Sequence, residues 1–372
     1  MLKTLKVALF AAACVPAMAA AQDLDTMTPE QLLPLAQAEG SVTVFSLSSR
    51  IARVEKAFEE AYPGIDLIGL DMSSAKQIAR VIAEQDAGVY AVDVMYMADS
   101  PVVLRDLLAP GRVHTYVPPR LADQLAAEFK APLLAHRLSN KVLMYNEAFY
   151  PSGSPITNLW QLTLPEWQGK VMMVDPTIRG ELLDLLTEIA LRPDEMAAAY
   201  KDQFGSDIVV DDDLTGAGEQ FIRDLFLNDL VLVSNNDDLN KAVGTKDAVN
   251  PPVGFGTYSD RRDNEDEGWA LQIANEVVPA NGISYPAVLV IGDKAPNPAA
   301  ARLLIDFMFG DDSASGGPGF APFNVPGDYA TRSTISDDPD SVPLEELKAW
   351  TINPETIAAN RARIADLIIT LQ

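Results

Sequence analysis

The sequence contains a single cysteine, Cys14, and only two histidines, His114 and His136, among 372 residues. One cysteine allows no internal disulfide and no cysteine metal site, and the two histidines lack the spacing of metal ligands. A Gly-x-Ser-x-Gly elbow, a glycine-rich phosphate loop and a dinucleotide fingerprint are also missing. These absences disfavour an enzyme, although the abundant carboxylates leave open an exported hydrolase that uses two of them.

Basic residues are scarce. The chain has 28 Lys and Arg against 53 Asp and Glu, which gives a formal net charge of -25. Nucleic acid and anionic membrane surfaces would repel such a chain, so neither is an expected partner. The charge favours solubility and says nothing about the fold.

Long apolar runs are missing after the N-terminus, so no transmembrane helix is expected. Residues 1–21 are typical of a secretory signal, with Lys3 and Lys6 before an apolar stretch that is too short to cross a bilayer. The small residues of AMAAAQ predict cleavage just before Gln22. A buried N-terminal helix and a lipoprotein with a lipidated Cys14 are the alternatives. The signal predicts an exported, periplasmic protein.

The following residues alternate between strand and helix patterns. SVTVFS, IDLIGL and VDVMYMA are β-branched, apolar runs, and RIARVEKAFEEAY and SAKQIARVIAEQDA between them have apolar residues at helical spacing. This alternation predicts a parallel sheet with helices on its faces.

A second set of elements begins at KVLMYN, residues 141–146. Strands are predicted at GKVMMVDP, PVGFGTYS and ISYPAVLVIG, and helices at GELLDLLTEIAL, EQFIRDLF and AAARLLIDFMFG. Helical segments are predicted around LEELKAW and PETIAANRARIADLIITL, and a surface loop at DDSASGGPGFAPFNVPGD, residues 311–328.

Four stretches in order resemble a known family. They are EGSVTVFS with its helix ending FEEAYPGIDL, AVDVMYMADSP, LWQLTLPEWQGKVMMVDPTIRGE, and GDKAPNPAAARLLIDFMFG. Together they are similar to the periplasmic solute-binding proteins of bacterial ABC importers, in the ferric-iron-binding-like group, whose members also bind organic anions.

The resemblance implies an α/β, two-lobed periplasmic binding protein fold of type II, in which each lobe is a sheet flanked by helices and the ligand cleft lies between the lobes. Residues 22–140 with about 280–372 would form lobe 1, and about 141–279 lobe 2, with the C-terminal helices packing on either lobe. The expected protein is a monomer without a cofactor or metal, and it delivers a small organic anion to a membrane permease.

Candidate ligand residues follow strands, because open α/β sheets bind ligands at the carboxyl ends of their strands. Ser48, Ser49 and Arg50 precede a helix whose free N–H groups and dipole suit an anion; simple capping with a solvated arginine is the alternative. Asp99 and Ser100 follow the third strand and either cap a helix or contact the ligand.

Further candidates come from the second set of elements. Thr177 and Arg179 would form a second anion clamp, with Gly180 allowing close backbone approach. Lys141 stands where the family often has a Gly-Arg-x-Arg pattern, and it would act as a point charge. GTYSDRRD offers a further set at a strand end that is expected to face the cleft: Tyr258, Ser259, Arg261 and Arg262. Pairing among the adjacent charged residues at the surface is the alternative.

The chain has no adjacent pair of tyrosines, the ligands that ferric binders of the family use. About where that pair is expected, the stretch VSNNDDLNKAVG offers Asn235, Asn236, Asp237 and Asp238, whose amides and carboxylates suit a ligand hydroxyl or ammonium better than Fe(III). A ferric-iron binder that uses carboxylates and a bound anion is the alternative within the binding class. A helix cap with a solvated acidic turn is the other interpretation of this stretch.

Overall fold

A computed structural model describes residues 23–372, so the predicted signal segment, residues 1–21, lies outside the described residues. Within this range no helix is long and apolar enough to cross a membrane. The strands are β1 Ser41–Ser46, β2 Asp66–Asp71, β3 Val94–Met97, β4 Val113–His114, β5 Leu134–Asn146, β6 Val171–Val174, β7 Val231–Val233, β8 Val253–Thr257, β9 Leu271–Ile273, β10 Gly282–Gly292, β11 Tyr329–Ala330 and β12 Ala349–Thr351.

The helices complete the α/β architecture. They are α1 Pro29–Glu39, α2 Ile51–Ala61, α3 Ser74–Asp86, α4 Ser100–Val102, which continues as a π-helical turn to Leu108, α5 Gly180–Ala190, α6 Pro193–Phe204, α7 Ala217–Leu227, α8 Asn236–Gly244, α9 Asn264–Glu267, α10 Pro298–Met308, α11 Gly317–Phe320 and α12 Pro354–Leu371. The apolar face of α2, with Ile51, Val54 and Phe58 buried, illustrates the helical spacing that predicted it.

The main strands are ordered β2-β1-β3-β10-β5-β8-β6-β7. β1 is parallel to β2 and β3 at one side, and β6 is parallel to β7 and β8 at the other. The long strands β5 and β10 run antiparallel to each other in the middle and join the two parallel groups. The sheet therefore has two groups of parallel strands, β1 to β3 and β6 to β8. The pair β5 and β10 lies between the two groups, and the carboxyl ends of both groups flank it.

Buried side chains form separate cores on the two sides of this pair. One core contains Val44, Phe58, Leu134, Leu289 and neighbours from β1, α2 and α10, with a smaller core on the other face of the same strands. The other contains Met173, Leu185, Phe221 and, from α12, Ile364. The fold is thus two-lobed, and α12 packs on α5 and α7 of the second lobe while it also contacts α4 of the first. The exact lobe boundaries stay a prediction.

Three local expectations are wrong. The central strand begins at Leu134, seven residues before KVLMYN, and Leu134–Asn146 is buried throughout. The segment 311–328 is not a plain surface loop, because it contains α11 and buries Phe320, Phe323 and Asp328. Only Leu344–Glu346 of LEELKAW is helical, as a 3-10 turn, and its end begins β12, where Ala349 and Trp350 pair with Gly282 and Ile283 of β10.

Candidate functional site

A cavity of about 410 Å³ lies between the two lobes and is lined almost entirely by polar residues. We call it the cleft cavity. Its walls are the segments that follow β1, β2, β6, β7 and β8, together with one face of β5 and Tyr285 of β10. The lining residues are Leu47, Ser48, Ser49, Arg50, Asp71, Arg137, Ser139, Lys141, Arg179, Glu181, Asn235, Asn236, Asp237, Asn240, Thr257, Ser259, Asp260, Arg262, Asp263 and Tyr285.

The topology explains why these side chains meet. The parallel strands β1, β2, β6, β7 and β8 all have their carboxyl ends at the cavity, where open α/β sheets bind ligands. On β5, Arg137, Ser139 and Lys141 are two residues apart, so they project from the same face of the strand. Because β5 belongs to both lobes, this face forms the floor between them.

Three helices begin at the cleft cavity. Ser48–Arg50 precede α2, Arg179 precedes α5, and Asn235 precedes α8. The first turn of a helix presents backbone N–H groups without helical partners and carries partial positive charge. Three such ends around one cavity favour an anionic group, whereas the carboxylates of Glu181 and Asp237 in the first turns of α5 and α8 act in the opposite direction.

Lys141 is buried on the floor of the cavity, with 2% of the residue exposed. Its Nζ donates to Thr257 Oγ1 at 2.6 Å and has no carboxylate within ion-pair distance in residues 23–372. Burial lowers the pKa of Lys141 to about 8, although Glu181 acts in the opposite direction. Among the described residues, Lys141 is therefore a buried cation at the cavity with a neutral hydrogen-bond partner and no ion pair.

Arg179 is half-buried at the start of α5, and within the described part of the chain its guanidinium has no hydrogen-bond or ion-pair partner. It acts at longer range on Asp71, whose pKa burial raises and Arg179 lowers. Lys141 and Arg179 are therefore the two basic residues of the cavity lining that form no ion pair within residues 23–372.

Arg50 has a second function besides facing the cavity. Its Nη1 donates to Asp328 Oδ2 at 2.8 Å, and Asp328 also accepts from Arg137 and, at 2.9 Å, from Ser139 Oγ. Burial alone would raise the pKa of Asp328, but Arg137 and Arg50 hold it below its usual value. One fully buried carboxylate thus fixes two guanidinium groups of the cavity wall.

A histidine and a tyrosine extend this network into the first lobe. Arg137 Nε donates to Tyr96 Oη at 2.7 Å, and Tyr96 Oη lies 2.9 Å from His136 Nδ1. His136 Nε2 lies 2.8 Å from the Met308 carbonyl, which can only accept, so Nε2 carries the proton and Tyr96 donates to Nδ1. Burial lowers the pKa of His136 to about 3, which keeps the ring neutral.

The structure brings together most of the candidate residues and separates the others. Ser48, Ser49, Arg50, Lys141, Arg179, Asn235, Asn236, Asp237, Ser259 and Arg262 line the cleft cavity. Asp99, Ser100, Thr177, Asp238, Tyr258 and Arg261 do not.

Each residue outside the cavity has another environment. Asp99 is buried and forms an ion pair of 2.5 Å with Nη1 of Arg361 in α12. Ser100 lines a separate, largely apolar cavity of about 500 Å³ behind β5 and β10. Thr177 is exposed and donates to Asp175 Oδ1 at 2.7 Å.

Two others belong to the 3-10 turn Tyr258–Asp263. Tyr258 is fully buried, and its Oη accepts from the backbone N–H of Val342 at 2.9 Å. Arg261 Nε donates to the Leu271 carbonyl at 3.2 Å, away from the cavity. Because of the turn, Ser259 and Arg262 of the same predicted set face the cavity, together with Asp260 and Asp263.

Among the residues of the site that were not predicted from the sequence, Arg137 has a recognisable signal and Asp328 has none. Arg137 alternates with Ser139 and Lys141, a period-two pattern that becomes visible once the strand is begun at Leu134. Asp328 had no local signal, because it lies in a segment rich in Gly and Pro and meets its partners only through the tertiary fold.

The fold and the cavity together define a two-lobed binding protein with a polar cleft for a small solute. The family model described as bacterial extracellular solute-binding protein matches residues 45–315, and the chain belongs to this family. No curated protein matches the chain. The resemblance seen in the sequence is thereby confirmed at the level of family and fold.

Solved structures with the same fold cover nearly the whole chain at low identity. Iron-bound HitA from Pseudomonas aeruginosa superimposes with a TM-score of 0.68 at 18% identity, over 89% of this chain and 99% of that one. AfuA from Actinobacillus pleuropneumoniae, with fructose-6-phosphate bound, gives 0.65 at 17%, over 89% and 97%. An ABC-transporter substrate-binding protein from Agrobacterium tumefaciens gives 0.65 at 15%, over 89% and 94%.

Proposed function

We propose that this protein is the periplasmic solute-binding component of an ABC importer and that it binds a small organic anion in the cleft cavity for delivery to a membrane permease. The family membership supports solute binding outside the cytoplasm. One structural neighbour is the substrate-binding protein of an ABC transporter, and another holds a sugar phosphate. A monomer that closes around its ligand suits this function.

The observation that carries the anionic class of ligand is the environment of Lys141. A buried ammonium with one neutral hydrogen-bond partner is costly, and an anionic ligand would compensate it. The nearby start of α5, with the unpaired Arg179, offers a second charge-assisted contact. Ser48, Ser49 and Asn236 supply hydrogen-bonding groups around the same volume.

Iron is the weaker ligand candidate. One structural neighbour is an iron-bound protein, but the cavity has a single tyrosine, Tyr285, in its lining. Burial raises the pKa of Tyr285, which makes a phenolate harder to form. Among residues 23–372, no group of three or more His, Cys, Asp or Glu side chains is arranged to hold a metal ion. The donor set therefore fits an organic anion better than Fe(III).

The test is a thermal-shift and calorimetry screen of the chain from Gln22 onward against phosphate monoesters, phosphonates, carboxylates and ferric citrate. A ligand at a hundred times its Kd adds about 2.7 kcal/mol to the free energy of unfolding. We expect an organic anion to raise the melting temperature, and to be recovered chemically unchanged. A response to iron alone, or turnover of the anion, would contradict the proposal.

Two variants and one control identify the site. Lys141→Met and Arg179→Gln are expected to weaken binding of the anion at least tenfold, since each removes a charge-assisted contact. Arg53→Gln removes the same charge from the exposed side of α2, outside the cavity, and should leave the affinity unchanged. Equal effects of Arg179→Gln and Arg53→Gln would mean that the cavity is not the binding site.

A further inference from the structure

The charges of the cleft cavity are balanced. Its lining has five basic residues, Arg50, Arg137, Lys141, Arg179 and Arg262, and five acidic residues, Asp71, Glu181, Asp237, Asp260 and Asp263. A ligand that is only an anion would meet the three helix N-termini and the free cations, but it would also approach carboxylates of the same sign. A cavity for a simple anion needs no such set of acids.

Three of these carboxylates are as free as the cations. Within residues 23–372, Asp71, Glu181 and Asp237 make no side-chain hydrogen bond and no ion pair. Glu181 is buried, with 6% of the residue exposed, so water compensates it poorly. In the described chain, Glu181 is thus a buried acid of the cavity without an ion pair, as Lys141 is a buried cation without one, whereas Asp71 and Asp237 are exposed to solvent.

A second, independent observation comes from two asparagines of α8. Asn240 Nδ2 donates to Asp260 Oδ2 at 2.9 Å, and Asn236 Nδ2 donates to Thr257 Oγ1 at 2.9 Å and lies 3.4 Å from Asp260 Oδ2. Because the Asp260 carboxylate only accepts, it fixes the amide groups with nitrogen toward itself. Each amide oxygen is consequently turned away from Asp260.

Both of these oxygens are buried and have no hydrogen-bond donor. Asn240 is 98% buried, and both residues line the cleft cavity. A buried acceptor without a donor destabilises the unliganded cavity. An incoming ligand that carries N–H or O–H donors would remove this destabilisation, whereas an anion without donors would not.

We propose that the solute is a zwitterion: a small molecule with an anionic group, for Lys141 and Arg179, and an ammonium group, for the free carboxylates and the amide oxygens of Asn236 and Asn240. This inference rests on the proposed function and adds the second charge of the ligand. It also fits a chain of net charge -25, which would repel an anion more strongly than a molecule without net charge.

The test compares three phosphate monoesters of equal length that differ in one terminal group: O-phosphoethanolamine with an ammonium, 2-hydroxyethyl phosphate with a hydroxyl, and propyl phosphate with a methyl. The carboxylates 4-aminobutyrate, 4-hydroxybutyrate and pentanoate repeat the comparison with a different anionic group. Calorimetry gives the Kd of each. We expect the ammonium compound of at least one series to bind at least tenfold more tightly than its methyl analogue, with the hydroxyl compound between them.

The failure of this inference is distinguishable from the failure of the proposed function. If a methyl compound binds as tightly as its ammonium analogue in every series that binds, the zwitterion is wrong and the anion proposal stands. If no compound of either series binds, and iron alone responds in the wider screen, both are wrong. If the hydroxyl compound binds most tightly, the ligand is a hydroxylated anion, and the proposal that it carries an ammonium group is wrong.

A matched pair of variants locates the ammonium group. Asp237→Asn should lower the preference for ammonium over methyl by about threefold or more, through weaker binding of the ammonium compound. Asp247→Asn makes the same charge change on an exposed residue beyond the end of α8, which does not line the cavity, and should keep the preference of the unsubstituted protein. Asp237 is exposed, so its replacement leaves folding intact. Equal preferences in the two variants would contradict the assignment.

Discussion

At the scale of single residues, Lys141 makes ligand binding depend on pH. Its pKa of about 8 in the unliganded protein means that the ammonium is lost as the pH rises through this value. An anion stabilises the ammonium, so binding raises the pKa of Lys141 and takes up a proton above pH 8. We expect the Kd of the bound anion, measured by calorimetry, to increase by up to about tenfold per pH unit above pH 8.

The control for this dependence is Lys141→Met. It should bind weakly and show no change of Kd between pH 7 and 10 that the ligand's own titration does not explain. In the unliganded protein the sign is opposite, because the folded state binds fewer protons than the unfolded state between about pH 8 and the ordinary lysine pKa. Stability of the unliganded protein should therefore gain from Lys141 as the pH rises across this window.

We expect the Asp328 side chain to contribute strongly to the free energy of unfolding. Asp328→Asn would leave Arg50 and Arg137 buried with no carboxylate partner, and removing one partner of a buried ion pair costs about 3–5 kcal/mol. Urea unfolding should show a loss of this order.

The matched control is Asp312→Asn, which also removes a carboxylate paired with an arginine, Arg332. The side chain of Asp312 is 89% exposed, so water solvates it, and the buried Arg332 keeps its hydrogen bonds to the Gly310 and Asp311 carbonyls when Asp312 is replaced. The loss of stability should therefore be smaller than for Asp328→Asn. Similar losses for Asp328→Asn and Asp312→Asn would mean that the buried network is not a source of stability.

At the scale of elements, the start of α5 is held against the other lobe by a close approach at Gly180. A Cβ on Gly180 would lie 2.6 Å from Arg361 Nη2 and would also collide with the Asp99 carboxylate. Asp99 follows β3 in the first lobe, and Arg361 belongs to α12, which packs on the second. This ion pair between the lobes therefore needs a glycine at the first position of α5.

Gly180→Ala sets two effects against each other. Alanine is better than glycine in a helix by about 1 kcal/mol, but displacing a buried ion pair by overpacking costs about 1–3 kcal/mol. We expect a net loss of stability in urea unfolding. Gly69→Ala, whose Cβ would meet the side chains of Ile51 and Glu55 at 3.1–3.3 Å, should cost less. A gain of stability in Gly180→Ala would show that the Asp99–Arg361 contact is readily rearranged.

The elements with clear periodicity could be predicted from the sequence, and those governed by tertiary contacts could not. β1 and α2 match SVTVFS and RIARVEKAFEEAY because burial follows the period of each element. The early start of β5 was missed because His136, Arg137, Ser139 and Asn140 are polar in sequence, yet their partners come from other segments and allow full burial. For the same reason Tyr258 and Arg261 were expected in the cleft, although a 3-10 turn directs their neighbours there instead.

At the scale of the whole molecule, the sheet topology explains why the approximate position of the site could be predicted from the sequence. Two groups of parallel strands end on either side of the pair β5 and β10. Rules about strand ends placed Ser48–Arg50, Arg179 and Asn236 near one another without knowledge of any contact. Which cations are free was beyond such rules. Arg50 shares Asp328, which is distant in sequence, whereas Lys141 has only a hydroxyl partner.

The net charge of -25 should also affect the stability of the whole molecule. Like charges repel more strongly in the compact state, and the Debye length falls from about 30 Å at 0.01 M salt to about 10 Å at 0.1 M. Salt also weakens exposed ion pairs such as Arg223–Asp213, but each of these contributes less than about 1 kcal/mol. The repulsion should dominate, so we expect the melting temperature to rise by several degrees over this range of sodium chloride.

Specific binding of chloride in the cleft cavity would produce the same rise, and Arg179→Gln separates the two causes. General screening predicts an equal rise in the variant and in the unsubstituted protein, because the net charge changes by only one unit. Binding in the cavity predicts a smaller rise in the variant than in the unsubstituted protein. A melting temperature that falls with salt in both proteins would mean that surface ion pairs outweigh the repulsion of the excess carboxylates.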